Sequence, residues 1–266
     1  MTEPSDIPVE AETTLLICSH NPRSVVREID GLQDIANFRV IGVGLRVLED
    51  RYLDVRASEL GRRGWVLRLR RVDSTWWITL KGPCRETPDG AMERSELELA
   101  WSWESLERVM NMLHIPLRNF DDRDISGADP AEIMTGLGMV VIQDRVTERR
   151  VKNVLSGDPS VVAAEIAVDR VRYDLPGRAI LHYEVEIESK LQEHGSAVAS
   201  IADALRKKFG SMLREWKFGK LATGMAIDAL IRNNALSGLI NEDGSLQPDA
   251  YDRVERYFRA VPVRRP

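Results

Sequence analysis

Charged side chains of both signs recur on the same face of several short segments of this sequence. In an extended strand, alternate residues point the same way, so each segment would present its charges together. The positions on these faces are Glu10, Glu12, Arg68, Arg70, Lys81, Arg94, Glu96, Glu98, Glu165, Asp169, Glu184, Glu186 and Glu188. Arginine and lysine bind phosphate oxygens, whereas carboxylates hold Mg²⁺ or Mn²⁺. If these faces meet in one cavity, they would suit a complex of a metal ion with a polyphosphate.

Short alternating segments bounded by turn residues predict the elements that would carry these charges. Strands are predicted over 9–17, 64–72, 75–81, 92–101, 139–155, 162–173 and 180–189. Helices are predicted over 22–34, 102–114, 130–137, 195–215, 221–236 and 249–259. The absence of a strand–helix–strand rhythm favours an antiparallel β-rich α+β fold with helices packed outside the sheet.

The alternation is compatible with two arrangements. In a closed barrel, the charges would line the lumen, and burying them without partners would cost several kcal/mol each. Such a lumen would therefore have to be wet and to bind a highly charged ligand. In a half-exposed sheet, the same residues would form solvated cross-strand pairs worth ~0.2–1 kcal/mol each. Periodicity alone leaves both arrangements open.

Composition limits the class of partner. The 266 residues contain 37 Lys and Arg against 42 Asp and Glu, which gives a net charge of −5. This balance disfavours an extended nucleic-acid track. The two cysteines cannot form a disulfide framework, and no apolar run reaches the ~18–20 residues that span a bilayer. The first residues show no secretory signal, so we expect a cytoplasmic protein without a membrane partner.

A series of motifs occurs in a characteristic order between residues 9 and 225. They are EAE (10–12), EDRYLD (49–54), VLRLR (66–70), WITLKGP (77–83), RSELE (94–98), VTER (146–149), EIAVD (165–169), YEVEIE (183–188) and GK (219–220). Their order and composition resemble those of the CYTH family, also called the triphosphate tunnel metalloenzymes. This family includes class IV adenylyl cyclases, thiamine triphosphatases and inorganic triphosphatases.

Together with the strand phases, the resemblance implies a closed antiparallel eight-stranded β-barrel tunnel with a charged lumen. The tunnel domain would cover 9–225, after a flexible lead-in at 1–8 and before a C-terminal helical extension at 226–266. The implied activity is hydrolysis of an inorganic or organic triphosphate that requires Mg²⁺ or Mn²⁺. Water would attack a phosphate held in the basic tunnel. The partner would be a small triphosphate compound, and a homodimer is left open.

The resemblance assigns roles to individual residues of this sequence. The catalytic carboxylates would be Glu10, Glu12, Glu184 and Glu186. The substrate phosphates would be bound by Arg68, Arg70, Lys81, Arg94, Arg149 and Lys220, with Arg145 and Lys152 as secondary candidates. The metal ligands would come from Glu10, Glu12, Glu96, Glu98, Glu165, Asp169, Glu184 and Glu186.

Two positions depart from the family pattern. Thr14 replaces the lysine of the opening motif, and Glu148 stands where a lysine is common. Strand phase predicts that Glu148 faces outward if Arg149 faces inward. The loss of positive charge keeps two alternatives open. One is a class IV-like adenylyl cyclase, in which the ribose 3′-hydroxyl attacks the α-phosphate, and the other is a weakly catalytic or non-catalytic nucleotide or polyphosphate-binding module.

Overall fold

The computed structural model describes residues 9–56, 58–83, 85–86, 92–117, 121, 125, 127–191 and 196–260. The strands are β1 (Val9–Ile17), β2 (Asp34–Ile35), β3 (Phe38–Val55), β4 (Val66–Val72), β5 (Thr75–Lys81), β6 (Arg85–Glu86), β7 (Met92–Ala100), β8 (Met139–Leu155), β9 (Val162–Leu175), β10 (Arg178–Ser189) and β11 (Leu213–Glu215). The helices are α1 (Pro22–Asp30), α2 (Glu59–Arg62), α3 (Trp103–Leu113), α4 (Pro130–Gly136), α5 (Ser196–Phe209), α6 (Lys220–Arg232) and α7 (Pro248–Ala260). The predicted lead-in at 1–8 lies outside the described residues.

All strands belong to one antiparallel sheet. Its order is β11-β1-β10-β9-β8-β3-β4-β5-β7-β6, and β2 pairs with the start of β3. Strand β1 also pairs with β7, through four residue pairs that join 9–12 to 92–95. Eight strands, in the order β1-β10-β9-β8-β3-β4-β5-β7, therefore curve around a common interior without closing into a barrel.

The prediction of an antiparallel β-rich α+β fold is confirmed, but the prediction of a closed eight-stranded barrel is wrong, because the sheet is not closed into a barrel. The sheet has eleven strands in the described part of the chain, because the short strands β2, β6 and β11 add to the eight. The strands are staggered, so β1 meets β7 only at its first four residues. Contact between β1 and β7 is limited to this short ladder and does not extend along the full strand length.

Alternation along the strands separates an apolar outer face from a charged inner face. On β4, Leu67 and Leu69 are fully buried in a cluster with α3 residues such as Leu106, whereas Arg68 and Arg70 line the interior. Helices α1 and α5 cover the outer face of β1, β9 and β10 in the same way. Because these helices remove the apolar face from water, the charged faces are left to line the space inside the sheet.

The C-terminal helices α6 and α7 pack against the sheet through a third apolar cluster. Ile227 of α6 and Tyr251 of α7 are buried with Tyr173 of β9 and Ile180 of β10. No helix in the described residues is long and apolar enough to span a membrane. The boundary at residue 225 between a tunnel domain and a C-terminal helical extension stays a prediction.

Two differences between the predicted elements and the structure are the largest. Strand β3, the longest strand, was not predicted as a strand, because Gly42 and Gly44 weaken the strand signal of its first half. The helix predicted over 195–215 ends at Phe209. Gly210 takes a positive φ of 57°, after which 213–215 pair with β1 as strand β11.

Candidate functional site

The inner face of the sheet surrounds a cavity of about 450 Å³. The predicted site residues that line it are Glu12, Arg68, Arg70, Lys81, Arg94, Glu96, Glu98, Arg149, Glu184, Glu186 and Lys220. Glu165 is not among the lining residues, and its carboxylate lies 3.9 Å from Lys190. The backbone of Glu10 pairs with Arg94, but its side chain lies outside the described residues.

A buried carboxylate, Asp50, organises the arginines on one side of the cavity. Arg70 donates two hydrogen bonds to Asp50, at 2.7 Å and 3.0 Å, and Arg145 donates two more, at 2.9 Å and 3.2 Å. The Arg68 guanidinium lies 3.9 Å from the same carboxylate. Burial opposes ionisation of Asp50, but these guanidinium groups outweigh it and hold its pKa well below the usual range.

The three arginines form a preformed cluster of positive charge. One carboxylate cannot satisfy all their donors, and Nη1 of Arg145 has no hydrogen-bond partner among the described residues. The nearby hydroxyl of Thr147, also on the cavity wall, lacks a partner in the same part of the structure. Because buried polar groups are normally hydrogen-bonded, unpaired donors at a cavity wall suit an anionic ligand.

Glu96 and Glu98 of β7 contact cations on β4 and β5. Arg68 donates to Glu98 at 2.8 Å and to Glu96 at 3.5 Å, and Lys81 forms an ion pair with Glu96. The hydroxyl of Thr79 also donates to Glu98, at 2.9 Å. These contacts hold the long arginine and lysine side chains in place before any ligand arrives.

A cluster of three carboxylates lies at another part of the cavity, where Glu184 and Glu186 line the wall and Asp169 is fully buried and not among the lining residues. Asp169, Glu184 and Glu186 each offer a carboxylate oxygen, and these oxygens lie within 4.8 Å of one another. Such a set of hard oxygen donors fits Mg²⁺ or Mn²⁺. Glu12 lines the same cavity and is close enough to Glu186 for their charges to interact. The cluster is therefore the best-formed candidate metal site among the described residues.

Two cations compensate the charge of this carboxylate cluster. Lys220, at the start of α6, lies 3.0 Å from Asp169 and also forms ion pairs with Glu184 and Glu186. Arg149 donates to Asp169 at 2.9 Å and 2.7 Å and also binds Glu186. Burial opposes ionisation of Glu186, but Lys220 and Arg149 hold its pKa well below the usual range. In contrast, burial and the charge of Glu186 raise the pKa of Glu12.

The carboxylate cluster is continuous with a buried contact to the C-terminal helix. Nε2 of His182 lies 2.6 Å from Glu184, and Nδ1 of the same ring lies 3.2 Å from the hydroxyl of Tyr251 on α7. All three side chains are almost completely buried. Helix α7 therefore contributes to the orientation of Glu184 through His182.

The alternation of side chains along β8 explains where the structure places the two secondary phosphate-binding candidates, Arg145 and Lys152, and the glutamate at position 148. Glu148 pairs with Arg170 outside the cavity, as its phase predicts, whereas Thr14 lines the cavity. Arg145 also lines the cavity. Lys152 points the other way and donates to a backbone carbonyl at the end of α1. Lys152 is three residues from Arg149 on the same strand, so strand alternation alone predicts that the two side chains face opposite sides of the sheet.

Residues at the cavity that were not proposed from the sequence include Arg46 and Tyr52, which line it, and Asp50, which is buried behind its arginines. Arg46 lies on the unpredicted strand β3, where it is cross-strand neighbour to Arg149. Asp50 and Tyr52 belong to the EDRYLD motif, which gave no role to either side chain, yet Asp50 anchors three arginines and Tyr52 contacts Arg145. The one signal in the sequence that could have identified Arg46 is its spacing of two residues from Leu48 and four from Asp50, which places the three side chains on the same face of a strand.

Comparisons with known proteins give one family and a set of similar folds. The model of the CYTH domain matches residues 24–214. HpAC1 from Hippeastrum, described as an adenylyl cyclase candidate with a dominant triphosphatase activity, is 16% identical, with a TM-score of 0.51 over 86% of this chain and 98% of its own. The PH1819 protein from Pyrococcus horikoshii is 17% identical, with a TM-score of 0.47 over 84% and 99%.

An adenylate cyclase candidate from Bacillus halodurans is 16% identical, with a TM-score of 0.45 over 80% of this chain and 95% of its own. No curated protein sequence matches the chain at a significant level. At these identities, the similarity to HpAC1 concerns the fold alone.

Proposed function

The chain belongs to the CYTH family, and on this basis we propose that it is a divalent-metal-dependent hydrolase of a triphosphate compound. One observation carries the proposal. A single cavity is lined by a cluster of arginines, two of which carry a donor without a partner among the described residues, and by Glu184 and Glu186, whose carboxylates lie within 4.8 Å of each other and of buried Asp169. These are the two charge classes that a metal–triphosphate complex requires.

The arginines of the cavity would bind and align the phosphate chain. Arg68, Arg70 and Arg145 are held by Asp50, so they need little reorganisation when the ligand enters. The unpaired Nε of Arg68 and Nη1 of Arg145 would take phosphate oxygens, and Arg149 would reach the ligand from the carboxylate side of the cavity. Fixed positive charge of this kind lowers the cost of charge that develops on phosphate oxygens during hydrolysis.

The carboxylates Asp169, Glu184 and Glu186, together with Glu12, are the groups that would hold Mg²⁺ or Mn²⁺. A divalent cation there would supply neutralisation of phosphate charge and would favour attack by water. Against the effect of burial, Lys220 and Arg149 lower the pKa values of Asp169 and Glu186, which keeps these two carboxylates in the ionised form that binds a cation. Glu96 and Glu98 would instead position Arg68 and Lys81.

The proposal is tested by incubating the purified protein with tripolyphosphate, ATP or thiamine triphosphate in Mg²⁺ or Mn²⁺. Released phosphate, pyrophosphate and cyclic AMP are then measured separately. Phosphate release that depends on the metal supports the proposal. Cyclic AMP as the main product from ATP would indicate the cyclase, and tight binding without turnover would indicate a binding module.

Two neighbouring arginines provide a matched pair of variants. Arg46 and Arg150 lie on paired strands, Arg46 exposed and Arg150 partly exposed, but Arg46 lines the cavity and Arg150 lies outside, 3.7 Å from Asp30. Arg46→Ala should weaken tripolyphosphate binding about fivefold or more, whereas Arg150→Ala should leave the dissociation constant within twofold. Equal effects of the two substitutions would contradict placement of the substrate in this cavity.

A further inference from the structure

One part of the wall of this charged cavity is aromatic. Phe218, which directly precedes α6, and Phe258 of α7 both line the cavity. Their rings stack with centroids 3.8 Å apart and an interplanar angle of 13°. Trp216 meets the edge of Phe218, at 5.1 Å and 76°. The aromatic wall, defined as Trp216, Phe218 and Phe258, contrasts with the arginines and carboxylates that form most of the cavity.

The exposure of the two phenylalanines argues against a purely structural role. Tyr251 on α7 is 1% exposed and belongs to the apolar core beneath the helix. Phe218 and Phe258 are only partly buried, and part of their surface faces the cavity. Apolar ring surface left in a polar cavity is a feature of sites that bind a ligand with an apolar or aromatic part.

The aromatic wall adjoins the carboxylate cluster. Phe218 precedes Lys220 by two residues, and Lys220 contacts all three carboxylates of the cluster. Lys217 and Arg259 line the cavity next to the two phenylalanines in sequence. A ligand with its phosphates at the charged groups could therefore extend a planar group onto this wall.

Helix α7 supplies half of the stacked pair and lies beyond residue 214, where the match to the family model ends. The helix is fixed on the sheet by Tyr251 and Val254, which are buried with Tyr173 of β9. The position of Phe258 is thus a property of the fold of this chain and does not depend on an unanchored tail.

We propose that the aromatic wall is a subsite for an aromatic ring carried by the triphosphate, so that the preferred substrate is organic. This inference rests on the proposed function and narrows its substrate class. A nucleoside triphosphate and thiamine triphosphate share the required chemistry, a planar ring linked to a phosphate chain. Stacking on a partly exposed ring favours either compound over inorganic tripolyphosphate.

The test compares substrates in the full-length protein and in Phe258→Ala. The KM for ATP and for thiamine triphosphate is divided by the KM for tripolyphosphate, measured in the same metal buffer. The ratio should rise about fivefold or more in the variant for at least one organic substrate, because a stacking contact is lost. The compound with the larger rise identifies the ring. An unchanged ratio for both would overturn the inference.

Two further variants keep the result independent of folding. Phe258→Leu retains apolar packing without a stacking face and should raise the same ratio even if Phe258→Ala unfolds. Tyr257→Ala removes a neighbouring ring of α7 that does not line the cavity, and its ratio should stay within twofold of the wild type. An equal rise in Tyr257→Ala would overturn the inference.

Calorimetric binding separates failure of this inference from failure of the proposed function. If nothing is hydrolysed, the ratio of dissociation constants replaces the ratio of KM values in every comparison. If neither tripolyphosphate nor an organic triphosphate binds, both the proposed function and the subsite are wrong. If tripolyphosphate is hydrolysed but Phe258→Ala leaves the ratio unchanged, only the subsite is wrong.

Discussion

Removal of the Lys220 ammonium is the perturbation whose result depends most directly on the carboxylate cluster. The side chain is 6% exposed and compensates Asp169, Glu184 and Glu186 together. Lys220→Met keeps most of the buried volume and removes the charge. Arg149 would still bind Asp169 and Glu186, so Glu184 is the carboxylate left without a cationic partner.

The size of the effect follows from the burial of that carboxylate. Removing one partner of a buried ion pair destabilises a protein by about 3–5 kcal/mol, because a buried charge is left uncompensated. Glu184 is 1% exposed and keeps the contact with His182, so we expect about 3 kcal/mol. A divalent cation bound to the cluster would replace the missing charge. At a concentration 100 times its dissociation constant, it would restore about 2.7 kcal/mol.

Urea denaturation at pH 7, followed by tryptophan fluorescence, measures both effects. The unfolding free energy is compared in EDTA and in saturating Mg²⁺ or Mn²⁺. Lys190→Met is the matched control, because Lys190 is 35% exposed and its pair with Glu188 at 2.9 Å is a surface contact worth about 0–1 kcal/mol. A loss below 1 kcal/mol in Lys220→Met, or no gain from either metal, would refute the reasoning.

Three other substitutions test separate parts of the account. Asp50→Asn should destabilise the protein by about 3–5 kcal/mol at neutral pH, measured by urea denaturation. Because the pKa of Asp50 is lowered from 3.8 in the folded state, this difference should persist above about pH 4 and disappear as the pH falls through the lowered pKa. Glu148→Gln should leave the KM for tripolyphosphate within twofold, since Glu148 pairs with Arg170 outside the cavity, and a larger change would contradict its outward phase. Thr14→Lys adds a cation to the cavity wall and should tighten tripolyphosphate binding about fivefold by calorimetry, whereas unchanged affinity would place the phosphates elsewhere.

Strand alternation made the inner face of the sheet predictable from the sequence. The side chains of a strand alternate because of covalent geometry, so Arg68 had to lie opposite Leu67, and Glu148 opposite Arg149. The burial of Leu67 and the cavity position of Arg68 agree with this rule. Phase could not reveal which strand would lie next to which.

The contacts that organise the cavity join residues far apart in the sequence. Asp50 meets Arg145 across 95 positions, and Phe218 stacks on Phe258 across 40 positions. Such pairs depend on strand order and on helix docking, which a local pattern does not contain. Arg46 was missed for a local reason, because neighbouring glycines hid the strand that carries it.

The most direct test of the central claim is the rate of phosphate release from a triphosphate as a function of divalent cation concentration. We predict negligible release in EDTA and a saturable increase with Mg²⁺ or Mn²⁺ when tripolyphosphate, ATP or thiamine triphosphate is supplied. Hydrolysis at an equal rate in EDTA would contradict the role of the carboxylate cluster. No hydrolysis of any of the three at saturating metal would contradict the proposed activity itself.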